Sequence, residues 1–143
     1  MRRHIGTELL LLPGVTVLVT DDQDRILMVK QADRAHWSTV GGAIEPGESP
    51  TEAVLREALE ETGLTVAIDD LVGVVGGKGY EIEYPNGDRC AYVSIIYRAR
   101  IVDGIPTPDG GEVSECRWIS TGDLPALDLS PFTHRLLTEV GII

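Results

Sequence analysis

Basic residues are the scarce class in this sequence: 12 Lys and Arg stand against 23 Asp and Glu, a formal net charge of −11 over 143 residues. A field of that sign repels nucleic-acid backbones and anionic lipid surfaces, which argues against general DNA or RNA binding and against a membrane-surface role. Cysteine is scarce too. Cys90 and Cys116 stand alone, with no CxxC and no nearby histidine, so neither a disulfide framework nor a zinc site is expected, and a reducing cytoplasmic setting fits. No apolar run approaches the ~20 residues a membrane helix needs. The start, Met1-Arg2-Arg3 followed by four leucines at 9–12, imitates a secretory leader, but Glu8 interrupts it and no small-residue cleavage site follows. Repeats, low-complexity tracts and an interdomain linker are missing as well. The length therefore predicts one domain over residues 1–143, with 43% hydrophobic residues to build its core.

Residues 15–20 (VTVLVT) and 25–30 (RILMVK) flank an acidic turn and read as a hairpin. Gly41-Gly42 and Pro46-Gly47 mark the next stretch as loop. Ser49-Pro50-Thr51-Glu52 then carries two helix-start signals, a capping box from Ser49 to Glu52 and proline at the first helical position. The helix is expected over about 50–62, stopped by Gly63. Residues 64–68 and 71–75 read as two strands, and Asn86-Gly87 between β-rich runs at 78–84 and 89–100 is a hairpin signal. A loop over 103–111 leads to a short strand at 116–119. Residues 131–140 close the chain as a helix.

The chemistry gathers on the first helix. At about 100° per residue, Val54, Leu55, Ala58 and Leu59 are expected to pack on a sheet, while Glu57, Glu60 and Glu61 fall together with small Ala53 one turn upstream. One reading is a solvated acidic face. The other is a cation site: like charges at i, i+4 cost roughly 0.2–0.5 kcal/mol per pair, and partial burial raises this toward ~3 kcal/mol at an effective dielectric near 20. Arg56 is the only base on the helix. Clustered carboxylates suit Mg²⁺ or Mn²⁺.

Gly42, then Glu48, then Arg56-Glu57-Ala58-Leu59-Glu60-Glu61-Thr62-Gly63-Leu64 matches the pattern GX5EX7REUXEEXGU, with U apolar, at every fixed position. Residues 42–64 thus resemble the signature of the Nudix hydrolase family. The resemblance implies an α/β fold, a Nudix-type α/β/α sandwich with a mixed β-sheet and its catalytic helix at about 50–62. It implies Glu57, Glu60 and Glu61 as metal ligands with the carbonyl of Gly41, and Arg56 and Glu48 as the pair that orients them. A further ligand is expected from a distal loop, Glu112 or else Glu115. The general base is Glu57 in some branches and a distal glutamate in others. Many members carry proline before the paired glycines, whereas Val40 stands here.

The implied reaction is hydrolysis of a pyrophosphate bond in a nucleoside diphosphate linked to another moiety. ADP-ribose, a dinucleoside polyphosphate, a nucleotide sugar or an oxidised nucleoside triphosphate would each qualify. Mg²⁺ or Mn²⁺ would neutralise both the polyanionic substrate and the acidic protein. The expected partner is that small-molecule nucleotide; family members are often dimers, so a homodimer is open. Outside the signature, Arg34 can meet a phosphate, Trp37 can stack on a base or pack in the core, and Tyr80 can contact substrate or serve as an ordinary sheet residue. Arg89 can reach phosphate or protect a sheet edge. His36 fits a surface or capping role, and His4 and His134 are given none. A nucleotide-binding sensor without turnover is the alternative function, although such modules generally lose an acid of the signature and this chain keeps all of them.

Overall fold

Alternation decides which side of each strand faces which helix. In the computed structural model, which describes residues 9–32 and 34–143, Val15, Val17 and Val19 of strand β1 (Leu10–Val19) pack into one buried cluster, and Leu18 between them packs into another. Strand β2 (Arg25–Gln31) repeats the division, with Leu27 and Val29 on the first side and Ile26 and Met28 on the second. Met1 to Arg3, His4 and Glu8 of the leader-like start lie outside the described residues, whereas its Leu10 to Leu12 belong to β1.

The remaining elements are β3 (Trp37–Ala43), α1 (Pro50–Thr62), β4 (Thr65–Val75), β5 (Glu81–Glu83), β6 (Arg89–Asp103), β7 (Val113–Ser120), a 3-10 turn (Leu124–Ala126) and α2 (Pro131–Glu139). The sheet runs β4-β6-β1-β3-β2-β7, with β5 paired to β6. β1 and β6 are parallel and the other pairings antiparallel, so the sheet is mixed. Ala53, Val54 and Ala58 of α1 join the first cluster and Leu136 and Leu137 of α2 the second, placing one helix on each face. This is the expected α/β/α sandwich.

Helix α1 begins and ends as its sequence specifies. The Ser49 side chain accepts from the Glu52 N–H and the Glu52 carboxylate accepts from the Ser49 N–H, while Gly63 stops the helix at φ 72°, donating its N–H to the Leu59 carbonyl. The Asn86-Gly87 hairpin also forms, closed by the Tyr84 N–H on the Asp88 carbonyl at 2.8 Å.

Three expectations change. Residues 37–43 form a strand between β1 and β2 rather than a loop, because glycine there removes a clash: a Cβ on Gly41 would lie 2.2 Å from the Val15 carbonyl oxygen of the neighbouring strand. The two strands at 64–68 and 71–75 are one, β4, which absorbs Asp69-Asp70 through register shifts and cross-strand ion pairs to Arg100 and Arg98. Leu55 and Leu59 do not pack on the sheet. Both are exposed, Leu59 at 57%, and the buried arc of α1 is Ala53, Val54, Ala58, Glu61 and Thr62.

Removal of the cap by Ser49→Ala should cost about 1 kcal/mol of stability. Gly63→Ala should cost about 1–2 kcal/mol through the left-handed backbone alone, since its Cβ would meet nothing within 4 Å. Urea unfolding monitored by circular dichroism measures both.

Candidate active site

The rotation of α1 determines what its glutamates can do. At about 100° per residue, Glu61 falls near the middle of the arc running from Ala53 to Thr62, and Glu57 falls between Ala53 and Glu61. Glu61 is accordingly 5% exposed, and its Oε1 accepts the Gly41 N–H at 2.9 Å. The Glu57 side chain is 13% exposed and lies against Gly42, where a Cβ would come within 2.5 Å of Oε1. The small residue at position 42 is therefore what admits this carboxylate.

Arg56 ties the region together. Its Nε and Nη2 grip the Glu48 carboxylate at 2.7 and 2.9 Å, Nη1 donates to Glu57 at 2.9 Å and to Glu60 at 3.2 Å, and Nη2 also reaches the Ala43 carbonyl at 3.0 Å. The fork of a guanidinium suits this planar, two-pronged grip. Hydrogen bonding from Arg56, helped by the Glu45 N–H, holds the Glu48 carboxyl down at about 2. Glu57 and Glu61 shift the other way. Burial raises both, against the pull of Arg56 on Glu57 and of the Gly41 N–H on Glu61, and Glu61 is raised further by the charges of Glu57 and Glu112.

A cavity of about 550 Å³ opens beside these groups, lined among others by Gly41, Gly42, Glu57, Glu61, Tyr84, Tyr92 and Glu112. Of the two distal acids, Glu112 lines it, whereas Glu115 sits on β7 opposite Lys30, with Arg117 at 3.7 Å. Glu60 is not part of this lining. It precedes Glu61 by one residue and so points about 100° away around the helix, and its side chain is 59% exposed and rests on Arg56. Among the described residues no three acidic, histidine or cysteine side chains already surround one point as metal ligands do.

A second cavity, of about 390 Å³, lies on the α2 face of the sheet and shares Gln31, Gly41, Gly42, Tyr84 and Tyr92 with the first. Arg34 lines it, its guanidinium 5.1 Å from the Tyr84 ring centre. Two other expected contacts are corrected. Trp37 is buried in the second core cluster, covered by Arg117 at 4.8 Å and Lys30 at 6.0 Å. Tyr80 is buried in the same cluster, edge-on to Phe132 at 5.3 Å. Both are core residues because they fall on the sheet face that α2 covers. Arg89 begins β6 opposite Glu83, outside the lining of either cavity. His36 lies 3.1 Å from Asp128.

Tyr84 and Tyr92, whose hydroxyls meet at 2.8 Å, were not singled out by sequence as a pair facing the site. They come from the two arms of the β5–β6 hairpin, and nothing in their spacing announces that their rings border both cavities.

Residues 10–140 match the NUDIX domain, so the chain belongs to the Nudix hydrolases, enzymes acting on pyrophosphate bonds that generally use divalent metal ions. It is 34% identical over 112 residues to a Bacillus subtilis (strain 168) protein named "Putative 8-oxo-dGTP diphosphatase", covering 78% of this chain and 68% of that one. It is 29% identical over 113 residues to an ADP-ribose pyrophosphatase of Methanocaldococcus jannaschii, covering 76% of this chain and 62% of the relative. Among solved structures, a MutT NUDIX hydrolase from Burkholderia pseudomallei superposes with a TM-score of 0.69 at 28% identity, covering 91% and 98% of the two chains.

Gly42→Ala should displace the Glu57 carboxylate and lower turnover roughly 10²-fold, as a misplacement of about 1 Å does. Thermal unfolding should show the fold retained, and steady-state kinetics the loss.

Proposed function

We propose that this protein is a Mg²⁺- or Mn²⁺-dependent pyrophosphohydrolase that cleaves a nucleoside diphosphate linked to another moiety. One observation carries the reading: among the described residues lining the 550 Å³ cavity, three are acids (Glu57, Glu61 and Glu112) and none is Lys or Arg. Like charges gathered there repel one another, a cost that a divalent cation turns into attraction. The donors are hard oxygens, which fit Mg²⁺ or Mn²⁺. Glu57, Glu61, Glu112 and the Gly41 carbonyl would hold the ion, with Glu60 at the solvent edge beside Arg56.

When bound, such an ion supplies Lewis-acid polarisation of phosphoryl oxygens and a lowered pKa for an attacking water. The remaining work falls to the chain. Arg56 fixes Glu57 through its Nη1, and Glu48 fixes Arg56 in turn, so the carboxylate enters the reaction already oriented. Glu57 is the group we assign to take the proton of the attacking water, with Glu112 as the other acid within the same cavity. The Glu61 carboxylate, anchored by the Gly41 N–H, forms the floor. We place the enzyme in the cytoplasm, in keeping with a sequence that holds only two cysteines and no CxxC pair.

Glu61→Gln should lower turnover by roughly 10²-fold or more, beyond what loss of a supporting group causes. It should also abolish the thermal stabilisation that Mg²⁺ or Mn²⁺ confers on the wild type. Phosphate-release assays with and without EDTA, over ADP-ribose, dinucleoside polyphosphates, nucleotide sugars and oxidised nucleoside triphosphates, measure the first. Unchanged turnover in the variant, or full activity in EDTA, would overturn the assignment.

A further inference from the structure

The 390 Å³ cavity is chemically unlike its neighbour. It is lined by the aromatic residues Tyr84, Tyr92 and Phe132 together with Arg34, Glu81 and Glu83. Aromatic faces suit a planar group. Among the described lining residues two acids, Glu81 and Glu83, stand against Arg34 and the histidine His36, so the lining offers a phosphate no excess of positive charge. The shared lining at Gly41, Gly42, Tyr84 and Tyr92 makes the two cavities contiguous, so a nucleotide with its phosphates among Glu57, Glu61 and Glu112 would set its base in this second one.

Arg34 carries the finer point. Its Nη2 is buried and has no hydrogen-bond partner among the described residues, while the guanidinium is held over the Tyr84 ring. A buried donor left unmatched is costly, and a guanidinium offers donors only. It therefore asks for an acceptor on the ligand. The O6 and N7 atoms of a 6-keto purine are both acceptors, whereas adenine presents an amino donor at position 6. We propose that Arg34, held by Tyr84, is a specificity-determining residue that selects a 6-keto purine base over a 6-amino one. The proposal rests on the pyrophosphohydrolase reading above for the placement of the phosphates.

The test compares dITP with dATP, which differ at position 6 and in the N1 proton that accompanies the keto group. Wild type should show kcat/KM for dITP about tenfold or more above that for dATP, with Mg²⁺ or Mn²⁺ present. Arg34→Met, which keeps an unbranched apolar stem, should bring the ratio to within about twofold of one, and Arg34→Lys should restore part of it. A ratio near one in the wild type, or a ratio unchanged by Arg34→Met, overturns the proposal while leaving the pyrophosphohydrolase intact. No turnover of either nucleotide or of the wider panel overturns the reading beneath it. In that case thermal stabilisation of the metal-free protein by IMP and AMP still decides the base preference: a larger shift with IMP, reduced in Arg34→Met, supports it, and equal shifts overturn it.

Discussion

The site depends on the fork of Arg56. Its guanidinium joins Glu48 in the loop before α1, the Ala43 carbonyl at the end of β3, and Glu57 and Glu60 on α1. A lysine could carry the charge but could not span these acceptors, because an ammonium lacks the flat, two-sided presentation. The guanidinium relieves the repulsion between α1's acids from the outer side and leaves the cavity side without a fixed cation. The same interaction thus orients the carboxylates and preserves a place for a mobile one.

Packing explains why the acids converge at all. α1 meets the sheet through Ala53, Val54 and Ala58, and the small alanines allow a close approach. That approach places Glu61 inside the buried arc instead of opposite it, and the penalty of burying a carboxylate is partly offset by the Gly41 N–H. Leu55 and Leu59 are left facing outward as a result. The helix buries polar groups and exposes leucines, the reverse of what its composition alone would favour, and local inconsistency of this kind is expected where function constrains a sequence.

Signals that act within a few residues were legible in the sequence. The Ser49–Glu52 box, the Gly63 stop and the Asn86-Gly87 turn are local devices, and each forms as read. The spacing of Glu57 and Glu61 was also readable, because helical geometry converts sequence separation directly into direction. Signals that depend on partners were not. Gly41-Gly42 looks like loop punctuation until β1 and Glu57 are seen pressing against it, and Trp37 and Tyr80 look like ligand contacts until α2 covers them. Wheel geometry also overstated the unity of the acids: Glu60 and Glu61 are adjacent in sequence and so point about 100° apart.

The two cavities meet at the β3 glycines, where the backbone has no side chains to separate them. Among the described lining residues, one has three acids and no Lys or Arg, and the other has Arg34 and His36 against Glu81 and Glu83. Residues 45–61 hold six of the chain's 23 acids against Arg56, so nearly half of the net charge of −11 lies on the segment that carries Glu57 and Glu61. Fixed charges of the protein therefore oppose a polyanion at the acidic cavity and offer it no excess of positive charge at the other. On the proposed reading, binding would draw on stacking and hydrogen bonding in the second cavity and on cations that enter the acidic one. A net charge that argued against phosphate ligands when read as a bulk property thus becomes, read by position, an argument for the metal dependence proposed above.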